Sequence, residues 1–389
     1  MTHPLLDRRI QQYIDRNIGA DIAKLALSKN PFEVNWQELL EQIAAKTKAK
    51  DKLPTWFAKQ DILYPAKVSI EQTSSEITAK YKSEIISGIS LIDLTGGFGV
   101  DDYFFSKRFG HVVHCELDAE LSAKARHNFA VLGAENIECI TGDGSEILKR
   151  LNRQFDWIYI DPSRRNSAKG KVFMLADCSP NVPELFEFYL TYTNNLLIKT
   201  APLLDITSGL NELRNVCEIH VVAVENEVKE LLWIIKKGFS GKPLIKSVNF
   251  TRDKVDTFIV SDNGNVQFGM PQSYLYEPNS AIMKAGAFNE VATTFNLFKL
   301  HKHSHLYTSE KLLLEFPGRI FELFNQFPYN KQTMKKILEG KKANIATRNF
   351  PESVEFIRKK WKIRDGGHEY CFFTTDLNDA KIVLICTKI

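Results

Sequence analysis

A glycine-rich loop and three acidic residues, each placed after a strand-length apolar run, are the features of this sequence best suited to chemistry. The loop lies within "DLTGGFGVDDYFF" at residues 93–105. Glu116, Asp143 and Asp161 follow the next three apolar runs. Carboxylates at such positions accept hydrogen bonds from ribose hydroxyls and base amino groups. The pattern indicates a site for a nucleoside-like ligand rather than four unrelated turns and caps.

The glycines of this loop would let the backbone come close to a ligand. A Cβ at Gly97 or Gly99 would occupy ligand space or forbid the φ and ψ angles that the loop requires. The spacing differs from the dinucleotide pattern GxGxxG, because no third glycine follows three residues later. Taken alone, the loop is equally well explained as a tight turn between a strand and a helix. Gly96 is interpreted as a turn residue.

Each acid also has a purely structural interpretation. Glu116 can flank a helix, although Asp118 fits the N-cap of the helix that follows better. Asp143 can cap the helix that begins near "SEILKRL". Asp161 can be a buried acid that shapes its own loop. The functional interpretation rests on all of these residues standing at successive strand ends.

Elements that bring strand ends to one edge are needed to assemble such a site. Short runs such as "HVVHCEL", "IECITG" and "FDWIYID" alternate with helical stretches such as "AELSAKARHNFAVLG". Strands that alternate with helices predict a parallel sheet, and ligands bind beyond the carboxyl ends of its strands. The segments of residues 229–260 follow one another closely, and we expect them to form hairpin strands that close an edge of this sheet.

Helices are expected before this sheet and a separate small module after it. Residues 1–80 carry apolar residues at three- and four-residue intervals, and Ser74 or Ser75 is expected to cap the helix that contains Glu76. A loop rich in Gly, Asn and Pro near residue 262 marks a domain boundary. The order β-α-β-α-β-β is predicted for the last 70 or so residues. The predicted fold class is therefore α/β, with a Rossmann-like sheet, a helical N-terminal region and an α+β C-terminal module.

Composition and charge exclude several classes of protein. The chain has 389 residues, of which 44% are hydrophobic and 25% charged, and no apolar run is long enough for a membrane span. Its six cysteines form no CxxC pair, so we expect a cytoplasmic protein without a metal or a disulfide framework. Residues 271–389 hold 18 Lys and Arg against 12 Asp and Glu. This excess permits a phosphate-rich partner such as RNA and is also typical of a solvated surface.

The order "DLTGGFG", "HCELD", "TGDG" and "DPSRR" resembles the class I S-adenosylmethionine-dependent methyltransferases over roughly residues 70–260. The first motif of that family, D/E-x-x-x-G-x-G, is matched by Asp93, Gly97 and Gly99. The resemblance implies S-adenosylmethionine as the cofactor. It also implies that this loop holds the methionine and ribose parts of the cofactor.

The same resemblance implies roles for the other acids. Glu116 would bind the ribose and Asp143 would face the adenine. Asp101 would reach the methionine end of the cofactor or simply cap the next helix. The remaining residues included among the expected cofactor contacts are Thr95, Leu117, Gly144 and Asp161.

Within the family, the sequence is similar to enzymes that methylate guanine N2 in RNA or form trimethylguanosine caps, because "SSEITA" resembles their Ser/Thr-x-Glu segment. The whole chain further resembles bacterial methyltransferases with a ferredoxin-like segment and a C-terminal THUMP-like domain, as "YEPNSAIMKAGAF" indicates. THUMP modules bring RNA to modification enzymes, so an RNA partner is implied. The expected domains are a helical region (1–80), a cofactor-binding domain (81–262), a ferredoxin-like segment (270–315) and a THUMP-like domain (316–389).

The motif "DPSRR" is expected to hold the methyl acceptor. Similar N-methyltransferases use [DNS]-P-P-[YFW], in which the first side chain and an ordered carbonyl orient an amine. Asp161 and Pro162 match the first two places, whereas Ser163 and Arg164 replace the second proline and the aromatic residue. Arg164 and Arg165 are expected either to position RNA by stacking or phosphate pairing, or to form salt bridges.

The function expected from these residues is N-methylation of an RNA base by positioning rather than by acid-base chemistry. Two alternatives stay open. The missing aromatic residue is compatible with a protein or a small molecule as the methyl acceptor. A nonenzymatic RNA-binding protein that keeps a vestigial cofactor fold is the other alternative.

Two further groups carry weaker signals. The segment "HKHSH" would place His301, His303 and His305 on one face of a strand, as metal ligands often are. No carboxylate or cysteine stands close by, so a surface strand bearing histidines is the preferred interpretation. Lys199 ends the fifth strand of the predicted sheet, where substrate contact and a structural role are equally open.

Overall fold

The computed structural model describes residues 3–164, 174–261 and 265–389. Internal contacts divide the chain into two units, one formed by residues 1–217 and 232–242 and the other by residues 218–231 and 243–389. The glycine loop and the strand-end acids belong to the first unit. Within the described ranges, none of the helices combines the length and the apolar character that crossing a membrane requires.

The first unit opens with a series of α-helices, as the helical spacing predicts. Leu39 and Ile43 of the longest helix pack against Ile10 and Ile14 of the first one. Ser75 caps the last of these helices, and its Oγ accepts a hydrogen bond from the amide of Thr78 at 3.3 Å. The helices are α1 (Arg8–Arg16), α2 (Ile22–Ala26), α3 (Trp36–Lys52), α4 (Pro54–Phe57), α5 (Lys67–Gln72) and α6 (Glu76–Ile85).

Strands and helices alternate from residue 90 onward. The elements are β1 (Ser90–Asp93), α7 (Val100–Phe105), β2 (His111–Glu116), α8 (Ala119–Leu132), β3 (Ile137–Thr141), α9 (Gly144–Leu151), β4 (Trp157–Ile160), β5 (Ser163–Arg164), β6 (Cys178–Ser179), α10 (Val182–Tyr189), β7 (Asn195–Thr200), α11 (Ile206–Glu212), β8 (Val216–Val224), β9 (Glu227–Lys236), β10 (Leu244–Phe250) and β11 (Val255–Val260).

These strands, apart from β5 and β6, form one sheet in the order β11-β10-β8-β9-β7-β4-β1-β2-β3. β1 runs parallel to β2 and to β4, β2 runs parallel to β3, and β4 runs parallel to β7. The carboxyl ends of these five strands therefore lie at one edge. This arrangement confirms the wound parallel sheet that the alternating pattern predicts, and it brings the strand-end residues together.

One part of the sheet differs from the prediction. The prediction of hairpin strands at the sheet edge is correct for β10 and β11, which pair antiparallel. The same prediction is wrong for β9. β9 lies inside the sheet between β7 and β8, and β10 runs parallel to β8. Residues 230–235 of β9 are buried in an unbroken run, as expected for a strand covered on both faces.

The C-terminal part of the chain forms a second sheet, in the order β13-β14-β12-β15-β18-β17-β16. Its last elements have the predicted order β-α-β-α-β-β, and Met334 and Trp361 of its two last helices pack on Phe373 and Val383. The elements are β12 (Tyr274–Pro278), α12 (Ser280–Ala285), α13 (Phe288–Thr294), β13 (Phe298–Lys299), β14 (Tyr307–Ser309), β15 (Gly318–Pro328), α14 (Lys331–Ile337), β16 (Asn344–Arg348), α15 (Val354–Trp361), β17 (Glu369–Thr375) and β18 (Lys381–Lys388).

Candidate cofactor-binding and active site

The glycine loop between β1 and α7 has a backbone conformation that favours glycine. Gly97 and Gly99 have φ angles of 57° and 80°, in the left-handed region that L side chains rarely adopt. The amide of Gly96 donates to the carbonyl of Cys115 at 2.7 Å, and the amide of Gly99 donates to the carbonyl of Gly96 at 3.0 Å. These bonds hold the loop against β2.

Two buried rings pack against this loop and explain two of its glycines. A Cβ at Gly96 would lie 2.3 Å from Cε1 of His114, and a Cβ at Gly99 would lie 2.3 Å from Cζ of Phe129. The expectation that Gly99 is required by its backbone angles is therefore met. The space beside Gly99 is filled by Phe129 and not by a ligand. Gly96 is more than a turn residue, because the ring of His114 occupies the space that a side chain at this position would need. A Cβ at Gly97 would meet nothing closer than 3.8 Å, so this residue faces open space.

Glu116 ends β2 and is bonded to the glycine loop. Its Oε2 accepts from the amide of Gly97 at 2.7 Å, and its Oε1 accepts from the amide of Asp118 at 2.8 Å. A carboxylate has about four lone-pair positions, so both oxygens can accept further bonds from ribose hydroxyls. Leu117, the next residue, is 72% exposed and offers an apolar surface beside the acid. A nucleoside edge with hydroxyls and a flat ring fits this pair.

The acids that follow are helix caps in the structure. Asp118 caps α8 as predicted, with its Oδ1 accepting from the amide of Leu121 at 2.9 Å. Asp143 caps α9, and its Oδ1 accepts from the amides of Ser145 and Glu146 at 2.9 and 3.1 Å. A Cβ at Gly144 would lie 2.3 Å from the carbonyl oxygen of Leu94, so a packing contact explains this glycine. The contact of Asp143 with adenine stays a prediction.

A chain of hydrogen bonds joins the end of β1 to the end of β4. The buried Asp93 accepts from the amide and the hydroxyl of Thr95 at 2.7 and 3.0 Å. The Oγ1 of Thr95 in turn accepts from the amide of Asp161 at 2.7 Å. Thr95 therefore fixes the start of the "DPSRR" motif relative to the glycine loop.

The side chain of Asp161 forms an ion pair with Lys199. For this lysine the sequence allowed either a substrate contact or a structural role. Nζ of Lys199, near the end of β7, contacts Oδ2 of Asp161, and the carboxylate stays 36% exposed. Pro162 is buried, whereas Ser163 and Arg164 are exposed in β5, which pairs with β6. Arg165, also considered from the sequence, lies outside the described residues.

Asp101 does not cap α7 but joins three elements in the interior. Its Oδ2 accepts from Oγ of Ser74 at 2.9 Å and from the hydroxyl of Tyr159 at 2.8 Å. Lys82 of α6 is fully buried, and its Nζ lies 3.2 Å from Oδ1 of Asp101. Burial alone would raise the pKa of Asp101, but Lys82 and Lys199 hold this pKa below its usual range. Asp101 is therefore an ionised anchor for α6.

A second buried cluster contains Asp102, His114 and Asp93. Nδ1 of His114 lies 2.6 Å from Oδ2 of Asp102, and both side chains are fully buried. Burial and then the neighbouring carboxylate raise the pKa of Asp93 and of Asp102 well above the usual range. Burial lowers the pKa of His114. This cluster packs behind the loop as a buried polar support, because the ring of His114 fills the space beside Gly96.

The three histidines of "HKHSH" do not converge. Residues 301–305 form a turn rather than the strand considered from the sequence. His301 binds Asp379 through Nε2 at 2.9 Å and Asn349 through Nδ1 at 2.9 Å, while the ring of His305 stacks on Phe288. In the described part of the chain, no group of three or more His, Cys, Asp or Glu side chains is arranged to hold a metal ion.

Comparisons with known proteins agree with this fold. A ferredoxin-like domain model matches residues 274–317, and a THUMP-like domain model matches residues 318–388. A crystal structure from Porphyromonas gingivalis W83, provisionally classed as a methyltransferase, is 31% identical, with a TM-score of 0.86, over 98% of this chain and 97% of that one. The chain belongs to the class I S-adenosylmethionine-dependent methyltransferases.

More distant relatives of this methyltransferase occur in Mycobacterium tuberculosis. Proteins from the strains CDC 1551 and H37Rv, both named uncharacterized S-adenosylmethionine-dependent methyltransferases, are 22% identical over 300 residues, which is 76% of this chain and 80% of theirs. The resemblance inferred from the motifs, including the ferredoxin-like and THUMP-like parts, is confirmed. S-adenosylmethionine is the cofactor of the family, and it supplies an electrophilic methyl group on a sulfonium.

The loop of this methyltransferase fits that cofactor. Gly97 faces open space with a left-handed backbone, and the exposed Leu117 and the acceptor oxygens of Glu116 lie next to it along the same sheet edge. Motif reasoning found these residues. It missed the partners Lys82, Ser74 and Tyr159 of Asp101. The sequence feature that could have indicated these contacts is Lys82, a lysine on the buried side of α6.

Proposed function

We propose that this methyltransferase acts on a nitrogen of an RNA base, and that Asp161 holds the acceptor amine. The bonds from Asp93 through Thr95 to the amide of Asp161 carry the proposal. They fix the acceptor-binding carboxylate relative to the loop that holds the cofactor. Methyl transfer depends mainly on this kind of alignment, because the reacting atoms must be held about 3–3.5 Å apart.

Lys199 sets the orientation of the Asp161 carboxylate. Its ammonium engages Oδ2, which leaves the Oδ1 lone pairs for an N–H group of the acceptor. An amine held in this way directs its own lone pair toward the methyl group. Once the nitrogen has taken the methyl group and a positive charge, its proton passes to the carboxylate or to water.

The RNA part of the proposal is supported by the rest of the chain. THUMP-like residues 318–388 follow a ferredoxin-like segment, and residues 271–389 have an excess of basic side chains. Arg164 stands where similar base methyltransferases have an aromatic residue. A guanidinium plane stacks on bases and pairs with phosphate, so Arg164 can take over a base contact. The guanine-N2 type is the specific reaction that this account favours.

A protein or a small molecule is the second candidate substrate. The absence of an aromatic residue at the position of Arg164 favours an acceptor that is not a flat base. Such a substrate would still use the same cofactor loop. The two candidates therefore differ in the acceptor alone.

Methyl transfer into separated cell fractions tests this proposal. Purified protein and S-adenosylmethionine labelled in the methyl group are incubated with RNA, protein and small-molecule fractions from cells. We expect label in the RNA fraction and its loss after ribonuclease treatment. Label confined to the protein or small-molecule fraction would reject the RNA substrate while leaving the methyltransferase assignment intact.

A further inference from the structure

A cavity of about 370 Å³ lies in the ferredoxin-like segment, next to the histidine turn of residues 301–305. Its wall includes the basic residues Lys299, Lys302, His303 and His305 together with the acid Glu290. The volume falls at the lower end of the range for small-ligand sites. None of these residues has a role in the methyltransferase site described above.

Lys299 places a buried ammonium at this cavity. The residue is 2% exposed, and its Nζ donates to Oδ1 of Asn289 at 3.1 Å. An ammonium carries three N–H donors, so this bond accounts for one of them. Burial lowers the pKa of Lys299, and the neighbouring Glu290 opposes that effect. A bound anion would accept from the lysine and relieve the desolvation of its charge.

His305 is held in an unusual conformation at the same cavity. Its φ angle is 50°, which is uncommon outside glycine, and its ring stacks on Phe288 with centroids 3.7 Å apart. Its Nδ1 is buried and has no hydrogen-bond partner among the described residues. Buried polar atoms are nearly always paired, so this nitrogen is available to a ligand that enters the cavity. Strained residues of this kind cluster at ligand sites.

The chemistry of the wall selects an anion with several oxygen atoms. Two lysine ammonium groups outweigh the single carboxylate of Glu290, so the wall attracts phosphate rather than a metal cation, and a histidine N–H donates to a phosphate oxygen. Burial, and after it the charges of Lys299 and His303, lower the pKa of His305 to about 4. The neutral ring in the tautomer that carries the Nδ1 proton is then the donor. Lys302 and His303 are exposed and can reach a ligand from the mouth of the cavity.

We propose that this cavity binds a phosphate group of an RNA strand through Lys299, Lys302 and His305. The inference rests on the proposed RNA substrate and adds to it a contact away from the methyl acceptor. It assigns part of the RNA affinity to one cavity rather than to the general basic excess of residues 271–389. A phosphate contact positions RNA without reading its sequence.

Fluorescence polarisation with a labelled oligouridylate of 12 nucleotides tests the proposal in the full-length protein. Lys302→Glu should weaken binding about tenfold and lower the salt dependence by about one phosphate contact. His305→Phe keeps the ring stack but removes the nitrogen, and about a tenfold loss is expected. Lys336→Glu, at an exposed lysine of α14, is the matched control and should change binding less than twofold. Equal effects of the Lys302 and Lys336 variants, or unchanged binding in His305→Phe, would overturn the inference.

Competition distinguishes RNA from a free nucleotide. Inorganic phosphate and AMP should displace the oligouridylate from the wild type at lower concentrations than adenosine. Calorimetry can show that AMP binds the wild type, that Lys302→Glu loses AMP binding, and that the same variant keeps its RNA affinity. In that case the cavity binds a nucleotide and the RNA assignment is wrong. Failure of the proposed function is observed separately. In that case the labelled methyl group appears only in the protein fraction, and the oligouridylate and phosphate binding measurements are unaffected.

Discussion

Nζ of Lys82 lies 3.2 Å from Oδ1 of Asp101, with the lysine side chain fully buried and the aspartate side chain 11% exposed. Lys82 belongs to α6, whereas Asp101 stands in the first turn of α7, directly after the glycine loop. The pair therefore fixes the last N-terminal helix to the element that ends the cofactor loop.

Removing the charge of Lys82 should destabilise the protein strongly. Lys82→Met removes the ammonium that pairs with the buried Asp101 carboxylate, for which a loss of about 3–5 kcal/mol is expected. Urea denaturation followed by circular dichroism measures the free energy of unfolding. Lys80→Met, at the largely exposed Lys80 of the same helix, is the control and should change that free energy by less than about 1 kcal/mol. Equal stability of the two variants would mean that Lys82 is solvated.

A long side chain at Gly97 should abolish cofactor binding without unfolding the protein. Its Cβ would project into open space, so Gly97→Arg adds bulk where the cofactor is expected, together with the strain of a left-handed backbone. Titration calorimetry with S-adenosylmethionine should show no binding. Gly133→Arg has a similar left-handed backbone and open surroundings at the end of α8, and it should bind like the wild type. Unchanged affinity in Gly97→Arg would remove the loop from the cofactor site.

Neutralising Glu116 should weaken cofactor binding, because the charge-assisted hydrogen bonds of its carboxylate are lost. Glu116→Gln loses the negative charge that accepts from Gly97 and from the ribose, and bonds of this kind contribute about 1.5–3 kcal/mol. We expect an increase of about ten- to a hundredfold in the dissociation constant for S-adenosylmethionine. Glu120→Gln, at an exposed acid of α8, should leave it unchanged. A similar small effect in both variants would argue against ribose binding by Glu116.

His305 should make the stability of the protein depend on pH. The ordinary pKa of 6.5 applies to the unfolded chain, whereas burial lowers the pKa of His305 to about 4 in the folded protein. Between these values the unfolded chain binds more protons, so stability falls as the pH is lowered through this window. Denaturation of the wild type and of His305→Phe at several pH values measures the difference. Parallel curves from about pH 7 to pH 4.5 would show that the folded ring protonates normally.

The sequence predicted what local patterns determine. Alternating strands and helices, the cap at Ser75 and the acid Glu116 after β2 depend on neighbouring residues, and the structure has them where the patterns place them. The position of β9 inside the sheet depends on strand order, which hydrophobic runs do not encode. The pairing of Asp161 with Lys199 could not be predicted for a similar reason. Those residues are 38 positions apart and meet because β4 and β7 are neighbours.

The packing around the glycine loop was also beyond motif reasoning. His114 reads as an ordinary strand residue, and nothing in its neighbourhood in the sequence shows that its ring occupies the space beside Gly96. The contact of Phe129 with Gly99 is similar, since the phenylalanine comes from α8. Glycine motifs therefore record two demands at once: an open, left-handed backbone position at Gly97 and ring packing at its neighbours.

The identity of the methylated nucleoside tests the central claim most directly. RNA labelled by the wild-type protein is digested to nucleosides and analysed by mass spectrometry, beside RNA treated with Asp161→Ala. The account predicts a base methylated on nitrogen, and a loss of about tenfold or more of this product in Asp161→Ala at saturating S-adenosylmethionine. A methyl group on ribose or carbon, or full activity of Asp161→Ala, would contradict the role of Asp161 in holding an acceptor amine.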